Sequence, residues 1–550
     1  MGAVGIRDMP WLTITIFLPA VGAVLLVLLR QAGGKVARVV SLAVTVLTGI
    51  LTAALLTAFN DRSASFQLAD PATTWIPALG VSFRVGLDGI SVWLFALTAL
   101  LSIVAVLGAW TGVTERVAAF YACLLALETA MLGVFAALDV VVFYVFWEAM
   151  LVPMYFIIGV WGGEGRLYAA IKFLLYTLLG GVLMLAGVAL LYCSLPEGLR
   201  TFSIPELLAR APAIDANRQL TLFLLFGIAF AIKVPLFPFH TWLPDAHVEA
   251  PTSGSIILAG VLLKMGAYGF IRFCIGMFPA ASQALAPLMM WLAVVGIIYG
   301  GATAMWQRDI KRLVAYSSVS HLGFVMLGLF AFNTIGVQGA VLQMVNHGLS
   351  TGGLFLLVGM IYERRHTRMV DDYRGLWDEM PLYSRVFLVV ALSSIGLPGL
   401  NGFVGEFMTL AGSFWSAHPL GVTWALLAAT GVIIAACYML WMFKRVFYGE
   451  ARERPGGPMP DMRPIETTAA ALLLVGIFWL GISPYRPVLR SIEPAAQAAV
   501  DRFEEFTGGP QTPVGATAPA GRAVKAFAVE APEVQMLGGS EVGPEGGEAP

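Results

Sequence analysis

The chain has 550 residues, of which 58% are hydrophobic and 12% are charged, and its formal net charge at pH 7 is -1. The mean hydropathy of +0.81 excludes a soluble globular protein and indicates a chain that crosses a membrane many times. No basic run is long enough to bind nucleic acid. The cysteines stand alone in apolar surroundings, without a spacing suited to zinc or an iron–sulfur cluster: Cys123, Cys193, Cys274 and Cys437.

Apolar runs long enough to cross a bilayer recur along the chain. A transmembrane helix needs about 20 apolar residues, and this criterion predicts about fourteen helices, so the expected fold class is an all-α polytopic membrane protein. The first run lacks a basic leader and a clear cleavage site, and we expect it to be retained as a helix. The predicted segments are 11–29, 36–59, 88–110, 117–138, 140–161, 167–195, 219–240, 252–278, 284–306, 313–332, 335–361, 383–417, 421–447 and 466–489.

Lysine and arginine are distributed unevenly between the connections of these segments. The odd-numbered connections carry eighteen of them and the even-numbered connections carry five. Basic connections tend to stay on the cytoplasmic side of a membrane. The odd connections should therefore face the cytoplasm or its equivalent, and both termini should lie on the outer side.

Two different stretches follow the last predicted span. In residues 491–506, apolar side chains recur at helical spacing against charged ones, which predicts an amphipathic surface helix that could contact a partner subunit. Residues 507–550 are rich in Gly, Pro, Ala and Glu with few aromatics. Such a composition cannot bury enough apolar surface to fold alone, so we expect a disordered tail.

Seven ionisable side chains fall near the middle of the predicted membrane segments. A charged group at the centre of a bilayer costs roughly 2.5–3.5 kcal/mol to insert, so each of them requires an explanation. With a rise of about 1.5 Å per residue, they lie at a similar depth, near the middle of the membrane. These residues are Glu128, Glu148, Lys233, Lys264, His321, His347 and Glu406.

One interpretation of these groups is structural, because a single intramembrane glutamate or histidine is often hydrogen-bonded to a neighbouring helix. This interpretation applies most readily to Glu128 and His347. Inserting all seven would cost on the order of 15–20 kcal/mol, which packing alone does not justify. A hydrated polar axis through the membrane explains the seven groups together, and histidine suits such an axis because it exchanges protons near neutral pH.

Prolines and glycines interrupt two of the predicted helices close to these groups. Pro235 and Pro238 each remove a backbone donor, so the seventh helix should break just after Lys233. In the twelfth segment, Pro398 and the glycines beside it interrupt the apolar run before Glu406. Broken backbone at this depth is tolerated only where it is buried in protein or lines a cavity. The breaks therefore indicate an ion path.

Interrupted helices at corresponding places in two halves of a chain are typical of transporters built on inverted repeats. We therefore predict two inverted five-helix repeats, formed by helices 4–8 and 9–13, with the broken helices 7 and 12 as their fourth members. The predicted organisation is a three-helix region (1–116), the first repeat (117–278), the second repeat (279–450), the last span with its connection (451–490), the amphipathic helix (491–506) and the tail (507–550).

Four stretches between roughly residues 85 and 450 carry a resemblance to a known family. They are YVFWEAMLVPMYFIIGVWGG (144–163), FPFHTWLPDAHVEAPTSGSIILAGVLLKMGAYG (237–269), DIKRLVAYSSVSHLGF (309–324) and LPGLNGFVGEF (397–407). They resemble the antiporter-like membrane subunits of proton-pumping NADH:quinone oxidoreductase, respiratory complex I. The FWEAMLVPMY motif and the glutamate at Glu406 resemble the NuoM/ND4 type. The chain also lacks the long lateral helix expected of the NuoL/ND5 type.

The resemblance implies a role for each of the seven groups. It makes Glu148 and Lys233 a coupled pair on the inner half of the membrane and Lys264 the central relay. His321 and His347 would connect this relay to Glu406, the outward terminal group, while Glu128 would lie beside the axis.

The resemblance also implies partners and a location. FMN, iron–sulfur clusters and quinone are expected on partner subunits, because the chain shows no dinucleotide fingerprint, flavin site or cluster cysteines. The expected neighbours are NuoL/ND5-type and NuoN/ND2-type subunits in a bacterial inner (plasma) membrane. Two alternatives stay open: a subunit of a multisubunit cation/proton antiporter or membrane-bound hydrogenase, and a purely structural membrane spacer.

Overall fold

A computed structural model describes residues 9–31, 33–450 and 457–508, and helices dominate this part of the chain. Within these residues, twelve helical segments are long and apolar enough to cross a membrane. The chain is therefore a multi-span, mainly helical membrane protein, as the sequence predicted. The helices are α1 (Trp11–Leu28), α2 (Gly34–Ala58), α3 (Ser91–Gly108), α4 (Val117–Ala136), α5 (Val140–Ala149), α6 (Leu151–Trp161), α7 (Arg166–Ser194), α8 (Ile204–Arg210), α9 (Ala216–Lys233), α10 (Trp242–Glu249), α11 (Thr252–Ile257), α12 (Leu263–Gly269), α13 (Pro279–Met305), α14 (Ile310–Leu329), α15 (Thr334–Arg365), α16 (Leu376–Glu379), α17 (Pro381–Ser394), α18 (Asn401–Phe414), α19 (Gly421–Phe447), α20 (Pro464–Ile482) and α21 (Arg490–Thr507).

The two predicted segments outside those twelve are the interrupted ones. The seventh segment, 219–240, is present as α9, which ends at Lys233, and α10 begins at Trp242, just after the predicted end. The twelfth segment is present as α17 and α18, with the turn around Pro398 between them. Both breaks predicted from the sequence are confirmed, whereas the division into two inverted repeats stays a prediction.

Two of the twelve spans are composite helices, which the sequence analysis did not foresee. The span Val140–Trp161 consists of α5 and α6, which meet at Met150. Pro153 lacks the N–H that would bond the carbonyl of Ala149, four residues earlier, and this explains the irregularity. The span Thr252–Ile275 contains α11 and α12, each followed by a π-helical segment, Leu258–Leu262 and Phe270–Ile275.

Burial separates central helices from peripheral ones. The most apolar stretches of α15 and of the span Thr252–Ile275 are completely buried, whereas most of the side chains of α1 and α2 are not buried within the chain. The outer helices can face lipid or other subunits because lipid tails are as apolar as their side chains. The connection between α2 and α3 carries a small antiparallel hairpin, β1 (Thr73–Ile76) with β2 (Val81–Phe83).

The amphipathic helix predicted at 491–506 is present as α21, but its apolar face packs against α13 and α15 of the same chain. The rings of Phe503 and Phe332 stack with their centroids 3.9 Å apart. Thr334 donates a hydrogen bond to Gln497 over 2.6 Å. The chain itself therefore covers the apolar face of α21, and contact of this helix with a partner subunit stays a prediction. Thr507 still belongs to α21, and most of the predicted tail, 509–550, lies outside the described residues.

Replacing Phe503 with alanine should destabilise the protein by about 3–5 kcal/mol, because a buried aromatic ring is lost and a cavity remains. Phe503 is 6% exposed, whereas Phe506, three residues later on the same helix, is 39% exposed. Thermal unfolding of the purified assembly should show a lower melting temperature for Phe503→Ala and little change for Phe506→Ala. Equal melting temperatures for the two variants would contradict the packing of α21 on this chain.

Candidate functional site

Four of the seven predicted groups form a line through the buried interior. The Lys264 ammonium group lies 2.6 Å from His347 Nδ1 and also donates a hydrogen bond to the carbonyl of Ala259. The rings of His347 and His321 lie with their centroids 5.8 Å apart. His321 Nδ1 lies 2.6 Å from Glu406 Oε1. The four side chains are each at most 3% exposed, so the line is enclosed by protein.

Lys264 owes its position to the irregular helix around it. It lies in α12, between the two π-helical segments. A π-helix bonds residues five apart and leaves α-type carbonyl partners unused. The Lys264 side chain donates to the carbonyl of Ala259, five residues earlier, in the preceding π segment. The ammonium group of Lys264 is thus hydrogen-bonded to a backbone carbonyl, and no carboxylate contacts it in the described structure.

Glu406, at the other end of the line, is contacted by side chains from two neighbouring helices. It lies on α18, one turn after the break, and Gln343 of α15 donates a hydrogen bond to its Oε1 over 3.0 Å. His321 of α14 contacts the same oxygen. The hydroxyl of Tyr438, on α19, lies 3.5 Å from His321 Nε2. The sequence analysis missed Gln343 and Tyr438, because an uncharged side chain in an apolar helix carries no periodic or charge signal.

The second helix break is bonded to α15 by a pair of asparagines. Asn346 donates to the carbonyl of Asn401 over 2.6 Å, and Asn401 donates to the carbonyl of Asn346 over 3.2 Å. A side chain at Gly402 would lie within 2.0 Å of the carbonyl oxygen of Ser393, so this turn requires glycine. The position of Asn346 directly before His347 was the only sequence signal for this pair.

A small polar cavity lies between the two histidines. It has room for about one water molecule, and several polar atoms around it have no hydrogen-bond partner in the described structure, among them Asn346 Oδ1, His347 Nε2 and Thr351 Oγ1. A polar cavity of this size is suited to a bound water. Its lining residues are His321, Gln343, Asn346, His347, Ser350, Thr351, Ser393, Ser394 and Gly402.

The predicted pair of Glu148 and Lys233 does not form an ion pair within 4 Å among the described residues. Lys233 is the last residue of α9 and is 1% exposed. Its ammonium nitrogen lies 5.1 Å from the ring centroid of Trp147 and 6.0 Å from that of Phe173. Aromatic faces attract a desolvated cation. Glu148 is half-buried near the α5–α6 joint, and its Oε1 has no hydrogen-bond partner in the described structure.

An indole group satisfies the backbone at the first helix break. Pro235 lacks an N–H, and the N–H of Leu236 bonds the carbonyl of Ala231 over 2.9 Å instead of that of Ile232. The indole nitrogen of Trp242 then donates to the Ile232 carbonyl over 2.9 Å, in a fully buried position. The sequence analysis missed this contact because it joins two elements whose relative position the break itself determines.

Glu128 makes no hydrogen bond to the line in the described structure. It is fully buried on α4, and within the described structure neither of its carboxyl oxygens has a hydrogen-bond partner. His247 on α10, which the sequence analysis did not single out, is also fully buried, and its ring stacks on Phe355 with centroids 4.4 Å apart. Contacts between side chains therefore join Lys264, His347, His321 and Glu406, and none of these contacts includes Glu128.

A family model described as "NADH:quinone oxidoreductase/Mrp antiporter, TM" matches residues 137–434, more than half of the chain. The matched residues include both helix breaks and the whole buried line. The chain belongs to this family. The resemblance stated from the four sequence stretches is thus confirmed.

Several members of the NADH:quinone oxidoreductase/Mrp antiporter family are similar over most of the chain. NADH-quinone oxidoreductase subunit M of Rickettsia prowazekii (strain Madrid E) is 40% identical over 480 residues, which cover 87% of this chain and 96% of the relative. The Rhodobacter capsulatus protein of the same name is 42% identical over 487 residues, 86% of this chain and 93% of the relative.

Solved structures agree on the fold. A chain of respiratory complex I from Thermus thermophilus with bound NADH has a TM-score of 0.81 and 34% identity, and the match covers 90% of this chain and 99% of that one. A chain of the Mrp complex from Dietzia sp. DQ12-45-1b has a TM-score of 0.77 at 21% identity, covering 91% and 99%. The second likeness concerns the fold alone.

Removing the indole donor at the first break should destabilise the protein. Trp242→Phe leaves the buried carbonyl of Ile232 without a partner, which costs about 1–3 kcal/mol. The matched control is Trp306→Phe, because Trp306 is 85% exposed. Thermal unfolding of the purified assembly should distinguish the two variants, and unchanged stability of Trp242→Phe would show that the break does not depend on this bond.

Proposed function

We propose that this chain is the proton-translocating membrane subunit M of an NADH:quinone oxidoreductase, respiratory complex I. The observation that carries the proposal is the enclosed line from Lys264 through His347 and His321 to Glu406. Each member can bind and release a proton. Such a line can conduct protons without a redox group of its own.

The proposal includes the partners and the location expected from the sequence. The chain works as one subunit of a hetero-oligomer, with NuoL/ND5-type and NuoN/ND2-type subunits beside it. FMN, iron–sulfur clusters and quinone on other subunits supply the redox chemistry. The protein resides in a bacterial inner membrane with both termini on the outer side, which the basic connections support, and the two predicted five-helix repeats carry the two halves of the path.

The first half of the path acts as a switch. A carboxylate near the Lys233 ammonium group stabilises its charge in a low-dielectric interior. Neither the Lys233 ammonium group nor Glu148 Oε1 has a hydrogen-bond partner in the described structure, so a displacement of Glu148 breaks no bond between the two. When the carboxylate withdraws, the desolvated ammonium of Lys233 loses its counter-charge and gives up a proton toward Lys264.

The second half of the path acts as a relay. Lys264 donates its proton to His347 Nδ1, and the imidazole releases the proton on its other nitrogen, Nε2, which lines the polar cavity. A water in this cavity would pass a proton to His321, whose Nδ1 delivers it to the Glu406 carboxylate. Glu406 then releases the proton on the outer side. Each histidine returns to neutrality after one transfer as the opposite tautomer, so a ring flip or a return proton transfer restores the starting tautomer before the next proton.

The antiporter alternative shares this fold, since a chain of the Mrp complex with 21% identity superimposes on it. Purifying the intact assembly and identifying its subunits by mass spectrometry separates the alternatives. Flavin and iron–sulfur subunits in the assembly support the proposal, whereas an assembly without them supports the antiporter.

Arginine at position 233 provides a test of the switch. Lys233→Ala removes the charge, while Lys233→Arg keeps it on a guanidinium that does not deprotonate at usable pH. Both variants should lose at least about nine-tenths of proton uptake into reconstituted vesicles, because proton transfer from this position contributes a factor of 10² or more. If Lys233 were only a structural cation, arginine would replace it and proton uptake would persist. An active Lys233→Arg enzyme would therefore show that Lys233 does not transfer protons.

The relay can be tested at His347. His347→Ala interrupts the line between Lys264 and His321, and proton uptake per NADH oxidised should fall about tenfold or more. His366→Ala, an exposed histidine at the end of the same helix, is the control and should pump normally. Normal pumping by His347→Ala, in an assembly of unchanged subunit content, would contradict the relay.

A further inference from the structure

A glycine on α7 forms the wall against which the Glu148 carboxyl group lies. A Cβ atom built on Gly181 would lie 1.8 Å from Glu148 Oε1 and 2.8 Å from its carboxyl carbon. Both distances are far shorter than a van der Waals contact. The carboxyl group therefore occupies the space that any other residue at position 181 would fill.

The preceding glycine faces the helix that carries Lys233. A Cβ atom on Gly180 would lie 3.2 Å from the Cα atom of Ala229 and 3.4 Å from Ile232 Cδ1, on α9 just before Lys233. Successive residues of an α-helix point about 100° apart. The two glycines of α7 thus turn one bare surface toward Glu148 and the other toward the Lys233 helix.

A third contact places α7 beside both members of the pair. The ring of Phe173, about two turns before Gly181 on α7, lies 6.0 Å from the Lys233 ammonium nitrogen. No hydrogen bond from the described residues holds Glu148 Oε1 in place. The shape of α7, rather than a polar contact, therefore determines how far the Oε1 side of the carboxyl group can approach this helix.

We propose that Gly181 is a positioning residue for Glu148: its missing side chain forms a notch in α7 that receives the carboxyl group at its working distance from Lys233. The proposal rests on the proposed function, because it assigns Gly181 a part in the Glu148–Lys233 switch. A methyl group in the notch would displace the carboxyl oxygen by more than 1 Å. A displacement of about 1 Å can cost a reaction step about 10²-fold.

The test is a double-mutant cycle in the purified, reconstituted complex. Gly181→Ala should lower proton uptake about tenfold or more while subunit content stays normal. Glu148→Asp shortens the side chain by one methylene and vacates the notch. In the Glu148→Asp background, Gly181→Ala should lower proton uptake by less than about twofold, since the effects of mutations at contacting residues are not additive.

The matched control is Gly187→Ala on the same helix. A Cβ atom there would lie 2.8 Å from Phe226 Cε2 of α9, remote from Glu148. It tests ordinary packing between α7 and α9. Gly187→Ala should lower proton uptake by the same factor whether residue 148 is Glu or Asp.

A second measurement does not depend on transport. Reaction of the Glu148 carboxyl group with dicyclohexylcarbodiimide, followed by mass spectrometry of the peptide, reports its environment, and Gly181→Ala should change the labelling rate several-fold where Gly187→Ala does not. If labelling changes but transport stays normal, the positioning is supported and the role of Glu148 in the proposed function fails. If Glu148→Asp abolishes transport, the double-mutant cycle cannot be measured, and the labelling rates of Gly181→Ala and Gly187→Ala then decide whether Gly181 positions Glu148. Unchanged labelling in Gly181→Ala, or an equal cost of Gly181→Ala with Glu and Asp, would overturn the proposal.

Discussion

A peptide group without a hydrogen-bond partner costs several kcal/mol in the interior of a membrane, and two helices of this chain are interrupted within predicted membrane segments. The chain meets the requirement with buried side chains from neighbouring elements. At the first break the Trp242 indole donates a hydrogen bond to the carbonyl of Ile232. At the second, Asn346 and Asn401 exchange side-chain to main-chain bonds. Because these partners fix where each break lies, they also fix Lys233 at the end of α9 and Glu406 one turn into α18.

The two halves of the candidate path stabilise buried charge differently. Lys233 lies among aromatic rings, and neither its ammonium group nor Glu148 Oε1 has a hydrogen bond in the described structure. Lys264 instead contacts a backbone carbonyl and His347, and Glu406 contacts His321 and Gln343. A buried ammonium group and a half-buried carboxyl group without fixed hydrogen bonds can change their separation with little loss of bonding, whereas a bonded line keeps its geometry. This difference is the physical basis for a switch followed by a relay.

The sequence predicted those features that depend on a single residue type at a single place. Proline cannot donate a backbone hydrogen bond, so the breaks after Lys233 and before Glu406 could be located, and the insertion cost of charge identified the seven ionisable groups. It could not predict contacts that depend on which helices are neighbours. The Trp242–Ile232 bond, the Asn346–Asn401 pair and the packing of α21 on its own chain all join elements whose proximity no local pattern encodes.

Because the sequence does not show which helices are neighbours, the ionisable residue types alone did not indicate which of the seven groups form the line. Glu128 has the same residue type as Glu406 and is buried like the members of the line, yet it contacts none of them through a hydrogen bond in the described structure. What distinguishes the line is the polarity of α15, which is buried from Gly336 to Ile361 and supplies Gln343, Asn346, His347 and Thr351 on neighbouring turns. A buried membrane helix can carry so many polar groups only where they bond one another or face a polar cavity. The path is therefore built into the packing of α15 against α14 and α18, and the ionisable residues conduct only because that packing brings them within reach of one another.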